Sequence, residues 1–348
     1  MSTKMGLVRA IDVGFCNTKF SMISAGGGSE GVGCDLFPSL TPIASADNIG
    51  LSEMMRKKKT VVVEVNGKRY EVGYDVEAAI ASNYGRNMDP SFCMTDNYMA
   101  LVNGALFYMG VSEIDMLVLG LPVSAHQKYK EELAKKMVGL HKVVDRDVVV
   151  HHCRVLAQPV GGFFEFGSKE GNMRKFEKET NLIVDVGFYT TDWFVCAGMT
   201  PVSQRCGAAN NGGMGSVISA ICNEIGRKVG EPLDQNIFGR VDAALRSPDK
   251  RVKIFGAEYN LEDYVEVGKA AALEAINKMV NKVGSGSDID NIVLVGGGGW
   301  FFEDVLKKKF PRHSISLAGE SSFSNVRGFQ LYGYEALKKI RAQAAAMA

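Results

Sequence analysis

Residues 10–22 read AIDVGFCNTKFSM and residues 183–195 read IVDVGFYTTDWFV. Counted from Asp12 and Asp185, DVGFCNTK and DVGFYTTD agree at five of eight positions, set 173 residues apart. In each copy an Asp closes an apolar, β-branched run, a Gly follows two residues later, and a second polar run resumes the strand. That pattern predicts a tight β-hairpin. The same hairpin twice in one chain predicts a duplicated domain, since the spacing is far too long for a solenoid repeat.

Length and composition fit that reading. At 348 residues the chain has room for about two cores. Its 46% hydrophobic and 23% charged residues are those of a globular protein. A net charge of +1 gives no broad electrostatic attraction for nucleic acid. The seven cysteines (16, 34, 93, 153, 196, 206 and 222) are odd in number and form no C-x-x-C pair, which suits reduced thiols in a cytoplasmic protein. No stretch has the roughly 18 apolar residues of a membrane span, and MSTKMGLVRAIDVGF is not patterned as a signal peptide.

Working outward from the hairpins, the two halves repeat an order of strand pair, strand, helix and strand. In the first half, Asn66-Gly67 marks a second hairpin, a helix is expected near 96–110, a strand over 114–122 and an amphipathic helix over 125–139. In the second half, AANNGGMGS opens a helix, an Ala-rich helix spans 261–283, the strand NIVLVGGGG covers 291–299, and SNVRGFQLYG runs into a terminal helix. Residues 37–100 read as a small insertion.

The hairpins also carry chemistry. Gly14 and Gly187 allow a sharp turn against an anion. Asn17, Thr18, Thr190 and Thr191 are small polar donors, and Lys19 neutralises phosphate charge. Asp12 and Asp185 would repel phosphate but suit Mg²⁺, which takes oxygen ligands and keeps several waters. Both hairpins then close on one Mg–nucleotide. The run LVGGGGW (294–300), between a buried strand and a helix, lets backbone approach a flat or anionic ligand. It does not fit the G-x-G-x-x-G dinucleotide pattern, which belongs at a first strand. Three other features carry less. His151-His152-Cys153 is a poor metal site, because strand neighbours face opposite ways. His126 is expected at the surface, and the methionines at 88, 94, 99 and 109 are expected in the core. Cys16 is expected to be a small buried filler.

Together these elements resemble the actin, sugar-kinase and heat-shock ATPase superfamily. Within it, DVGFCNTK, LGLPVSAHQKYK (119–130) and FSNVRGFQLYG (323–333) are most similar to the ParM/StbA plasmid-segregation branch of bacterial actin-like proteins. The resemblance implies an α/β fold of two duplicated actin-like (ribonuclease H-like) domains, each with a small subdomain, around a nucleotide cleft. The expected boundaries are 1–180, with the insertion at 37–100, and 181–348, with a small subdomain at 222–262 and the C-terminal helix packing back on the first domain.

By motif, the resemblance assigns phosphate contacts to Gly14, Asn17, Thr18 and Lys19 in the first domain and to Gly187 and Thr190 in the second. Asp12 and Asp185 would hold Mg²⁺ through water. Gly296, Gly297 and Gly298 would line adenine and ribose, with Gly215 in the Asn210–Gly215 loop and Glu266 or Lys269 beside them. In LAQPVGGFF (156–164), Gln158 stands where ParM relatives have Glu and actin has Gln, and would orient the attacking water. The catalytic set is thus Gln158, Asp185 and Asp12. Two departures stand out: Phe15 replaces a Ser of many relatives, and Phe188-Tyr189 replaces Gly-Gly or Gly-Thr. The implied function is a cytoplasmic filament-forming ATPase that uses ATP, with GTP not distinguished, and Mg²⁺. It would partner itself and a DNA-bound adaptor protein, with no direct nucleic acid and no membrane. A small-molecule kinase or another non-filament ATPase of the superfamily is the alternative.

Overall fold

In a computed structural model of the chain, residues 6–22, 32–44, 58–79, 89, 91–169 and 173–347 are described. Met88, expected in the core, lies outside them. The first hairpin is β1 (Val8–Val13) and β2 (Asn17–Met22), followed by β3 (Gly33–Pro38), β4 (Thr60–Val65) and β5 (Lys68–Gly73). Next come α1 (Asp96–Met109), β6 (Glu113–Leu121), α2 (Val123–Met137), β7 (Gly139–Val143), β8 (Arg146–Ala157) and α3 (Gln158–Lys169). A single turn, α4 (Met173–Phe176), precedes the second hairpin, β9 (Thr180–Val186) and β10 (Thr190–Ala197), and the short strands β11 (Thr200–Pro201) and β12 (Gly207–Asn210). Then follow α5 (Met214–Val229), α6 (Phe238–Arg246), β13 (Arg251–Ile254), β14 (Ala257–Asn260) and α7 (Val265–Val283). The chain ends with β15 (Asn291–Val295), α8 (Gly299–Lys309), β16 (Ile315–Leu317) and α9 (Ser324–Met347).

These elements form two units. The first holds the described residues through 174 together with 323–347, and the second holds 175–322. In the first, a six-stranded sheet runs β3-β2-β1-β6-β8-β7, with β1, β6 and β8 parallel and the others antiparallel. In the second, the order is β11-β10-β9-β15-β16, again an antiparallel pair beside parallel strands. The duplication read from the hairpins is therefore a duplication of sheet order: an α/β fold with two like mixed sheets.

Alternation explains the layering of the first unit. Ile11 and Val13 of β1 face one core, shared with α1 and α2. Val8 and Ala10 face the other way, with Met116 and Val118 of β6, against Val326, Phe329 and Leu337 of α9. Glycines set how closely α9 lies. A Cβ at Gly333 would sit 2.5 Å from Val8 Cγ1 and 2.9 Å from Val118 Cγ2. A Cβ at Gly161 of α3 would sit 2.6 Å from Asn325 Cα, and one at Gly328 would fall on the Gly161 carbonyl. The two motifs LAQPVGGFF and SNVRGFQLYG are thus the two sides of one glycine-lined helix crossing. The second unit has its own core, in which Val184, Val186 and Trp193 of the hairpin pack with α5, α7 and α8.

The Asn66-Gly67 turn joins β4 to β5 with φ of 51° and 74°, as expected of a type I′ hairpin. Met99 and Met109 are buried in the first core and Met94 packs against it. Two expectations about histidine change. In β8 the buried positions pass from Val148 and Val150 to Cys153 and Val155, so strict alternation breaks at His151-His152 and both rings are exposed. His151 bonds the Glu113 carboxylate at 2.7 Å. His126 is half-buried, with Nε2 3.2 Å from the Val155 carbonyl, and burial lowers its pKa. No helix among the described residues is long and apolar enough to cross a membrane.

Candidate functional site

Each hairpin is closed by the same backbone bond. The Gly14 amide donates to the Asn17 carbonyl at 3.1 Å, and the Gly187 amide donates to the Thr190 carbonyl at 2.9 Å. The two glycines therefore shape their turns, and these amides are engaged within the protein. The register then sets Asp12 opposite Lys19 in the first unit and Asp185 opposite Asp192 in the second. Cross-strand partners project from the same face of a sheet.

In the first unit this register builds a charged cluster. Asp12 is 2% exposed, and its Oδ2 lies 3.9 Å from Lys19 Nζ. Its Oδ1 accepts a 2.7 Å hydrogen bond from Gln158 Nε2, at the start of α3 and 146 residues away. Gln158 is itself buried. Three residues assigned separately by motif are thus one hydrogen-bonded and ion-paired group.

A glycine missed by the sequence reading makes room for it. A Cβ at Gly120 of β6 would stand 3.1 Å from Asp12 Oδ1 and 2.5 Å from Phe329 Cε2. The second unit repeats the device. Gly296, just past the Val295 position that pairs with Asp185, has φ of +86°, and a Cβ there would collide with Asp185 Oδ1. So in both units the strand parallel to the hairpin carries a glycine against the hairpin's aspartate. A glycine inside an apolar strand signals such a close approach, but sequence does not say to what.

The second unit differs where Lys19 would be. Asp185 and Asp192 are both buried, and they are directly opposite one another. Cross-strand carboxylates of this kind present their oxygens on the same face of the sheet. This donor set of carboxylate oxygens fits a hard divalent ion such as Mg²⁺. Among the described residues, no group of three or more His, Cys, Asp and Glu side chains is arranged to hold a metal. A Mg²⁺ ion here would therefore keep waters and phosphate oxygens as its other ligands.

Several of the remaining predicted residues bond within the protein. The Thr18 hydroxyl is fully buried and lies 2.9 Å from Ser39 Oγ, which ties β2 to the segment after β3. Thr191 likewise donates to the Gly212 carbonyl at 2.9 Å. The Gly215 amide donates to Phe188 O at 2.7 Å and the Met214 amide to Gly187 O at 3.0 Å, so the start of α5 is stitched to the second hairpin. The Gly296 amide donates to Ser321 O and the Gly298 amide to Val186 O. At Gly297 an added Cβ would meet only Ser322 Cβ, at an ordinary contact distance of 3.9 Å. Lys269 is paired with Glu266 at 3.6 Å and Asp304 at 3.3 Å. Asn17 and Thr190 open their second strands at equivalent positions.

The two phenylalanines that depart from the pattern have a shared packing role. Phe15 is stacked on Phe92, at 6.1 Å between ring centroids, and packs on the first core, while Phe188 packs on the second. Cys16, expected to be buried, is only half-buried. Burial pushes Cys93 and Cys222 up to about 11 and Cys153 and Cys196 up to about 12. These four thiols are therefore protonated at neutral pH and are not nucleophiles.

Comparison with known proteins accords with this geometry. A profile of the actin like proteins N terminal domain matches residues 10–161, and one of the archaeal actin homologue MreB-like C-terminal domain matches residues 183–308. No curated protein sequence matches the chain. Among solved structures it is similar to the archaeal actin homologue Ta0583, with a TM-score of 0.75 at 19% identity, covering 95% of this chain and 99% of that one. The same homologue solved in complex with ADP gives 0.71 at 18% identity, over 94% and 99% of the two chains. A ParM subunit from a 15-stranded filament of Clostridium botulinum gives 0.73 at 17% identity, over 95% and 100%.

Proposed function

Since the chain belongs to the actin-like proteins, we propose that it is an ATPase whose nucleotide state controls its assembly into a filament. The observation that carries this reading is the buried Asp12–Lys19–Gln158 cluster at the first hairpin. A carboxylate, a cation and a side-chain amide are held together there by an ion pair and a hydrogen bond. The neighbours with ADP bound and in a filament support the two halves of the reading.

In this reading Lys19 neutralises charge on the transferred phosphoryl group, as a point charge does in other phosphate sites. Asn17 and Thr190 bind phosphate oxygens from equivalent positions of the two hairpins. Gln158 gives its amide hydrogen to Asp12, which fixes the side chain and presents Oε1 to accept a proton-bearing edge of the attacking water. It orients that water without removing its proton, so hydrolysis is slow and acts as a timer. Mg²⁺, when bound, supplies charge neutralisation at the β- and γ-phosphates. The carboxylates that would hold it through its waters are Asp12 at the first hairpin and Asp185, with Asp192 opposite, at the second. Gly297 leaves backbone open to the nucleoside, while Gly296 and Gly298 shape the loop. Phe15 and Phe188 anchor the turns to their cores, so the contact that a Ser hydroxyl would make from the Phe15 position is absent.

Within the actin-like proteins we assign the chain to the plasmid-segregating ParM branch, cytoplasmic, with a DNA-bound adaptor as partner. Negative-stain electron microscopy with ATP and Mg²⁺, with ADP, and without nucleotide tests the assembly reading. Filaments are expected with ATP and their loss with time. No nucleotide-dependent assembly over a wide concentration range would refute it.

A further inference from the structure

Residues 296–299 are four consecutive glycines, the softest backbone a chain can carry, and the run is held by partners outside it. The Gly296 amide donates to Ser321 O at 3.0 Å, and Ser321 Oγ donates back to Gly296 O at 2.9 Å. The Gly298 amide donates to Val186 O at 2.9 Å. The Gly297 carbonyl is held by a side chain: Arg246, the last residue of α6, donates to it from Nη2 at 3.0 Å. Arg246 is fixed in turn by two further contacts. Its Nε and Nη2 donate to the two carboxylate oxygens of Asp242 at 3.0 and 3.1 Å, and its guanidinium lies over the Trp300 ring, 5.3 Å from the centroid. All of these residues belong to the second unit.

The Arg246 side chain is 42% exposed. An exposed ion pair adds little to stability, while fixing a long side chain costs rotamer entropy. Lys would pair with Asp242 as a point charge, but only a planar fork meets a carboxylate, a carbonyl and an indole face at once. What these contacts secure is the peptide group after Gly297. The peptide group before it carries the Gly297 amide, which has no acceptor among the described residues. A soft loop is thus held on both sides of one free donor. Glu266 and Lys269, expected beside this loop, pair with each other, and Lys269 also with Asp304. We propose that Arg246 is a positioning residue for nucleotide binding. By tying the Gly297 carbonyl to Asp242 and Trp300, it keeps the glycine loop in the form that takes the nucleoside. The proposal rests on the nucleotide-site reading above and adds a residue that none of the motifs carries. Arg246 acts on binding and not on the reacting phosphate, whose contacts are assigned to the hairpins.

The test compares Arg246→Ala, Arg246→Lys and Asp242→Asn by calorimetric titration with ADP and Mg²⁺ and by steady-state ATP hydrolysis. Arg246→Lys keeps the charge and loses the fork, and Asp242→Asn keeps the arginine and loosens its anchor. Ordering one freed residue costs on the order of a tenfold change in affinity, or about 1.4 kcal/mol. The Kd for ADP and the KM for ATP should therefore rise about tenfold in both Arg246 variants and about threefold in Asp242→Asn, with kcat within about twofold. Partial unfolding would do the opposite, lowering kcat at constant KM because fewer molecules are active. An unchanged Kd in Arg246→Ala overturns the proposal, as does a fall in kcat at constant KM. Affinity restored in full by Arg246→Lys also overturns it, since charge alone would then suffice. If the unsubstituted chain does not bind ADP, the nucleotide reading itself falls, a result distinct from all of these.

Discussion

Replacing Gln158 by Ala separates its two tasks. The Gln158 amide hydrogen bond to Asp12 is short, at 2.7 Å, and lies between two buried groups. Hydrogen bonds to a charged group contribute about 1.5–3 kcal/mol, more when their loss strands a buried partner. Lys19, at 3.9 Å, is beyond hydrogen-bond distance and does not replace the lost donor. The variant should therefore lose about 2 kcal/mol from the first unit. With a urea slope of roughly 2 kcal/mol/M that is a midpoint shift of about 1 M. Both tryptophans, Trp193 and Trp300, are in the second unit, so far-UV circular dichroism must accompany fluorescence to see the loss. Two units also mean that a single two-state transition is not assumed. Phosphate release should fall about tenfold or more, as expected for removal of a group acting on the reacting water. ATP should still bind, and filaments should last longer. Unchanged stability together with unchanged hydrolysis would refute the cluster. Complete loss of nucleotide binding would refute the water-orienting role.

The remaining expectations concern other parts of the same structure. Thr18→Val should cost about 1–3 kcal/mol by stranding Ser39 Oγ, with ATP affinity unchanged; a large drop in affinity at constant stability would make the hydroxyl a phosphate ligand. Gly328→Ala should cost more than about 3 kcal/mol, because the clash is with the backbone of Gly161 and no rotamer relieves it. Gly239→Ala, with nothing within 4 Å of the new methyl, is the control and should gain stability by thermal melting. His126 has its pKa lowered in the folded state by burial, so below about pH 6.5 the unfolded chain binds more protons and stability falls as pH falls. His126→Gln should flatten that slope; an identical slope in both proteins would show that another group is responsible.

The hairpins were legible because their determinants are local: an apolar run, a glycine turn and a returning polar strand. The register that pairs Asp12 with Lys19 and Asp185 with Asp192 was not read from the motif, and the weight of Asp192 became evident only with both carboxylates buried. Gln158 was found by motif, but its bond to Asp12 spans 146 residues and no spacing rule reports it. Gly120, Gly161 and Gly328 are ordinary glycines in sequence. Their meaning lies in which backbone or side chain occupies the missing Cβ, which is tertiary information. The same is true of Thr18, whose hydroxyl bonds with Ser39 Oγ, and of Gly215, whose amide donates to Phe188 O. Residue type alone suggested a ligand because hydroxyls and glycine amides serve phosphate sites and structural stitches equally well. Val144 and Phe255, both at positive φ, show the reverse case: nothing in their local pattern suggested such a turn, since Asn or Gly is the usual occupant.

In the proposed reading the protein hydrolyses nucleotide and hydrolysis governs its assembly. Light scattering and phosphate release, recorded together on one sample after addition of ATP and Mg²⁺, put that coupling to the test. Scattering should rise first, phosphate should follow with a lag, and scattering should fall as ATP is exhausted. Phosphate release at the same rate below and above the assembly threshold, or scattering indifferent to nucleotide, would contradict it.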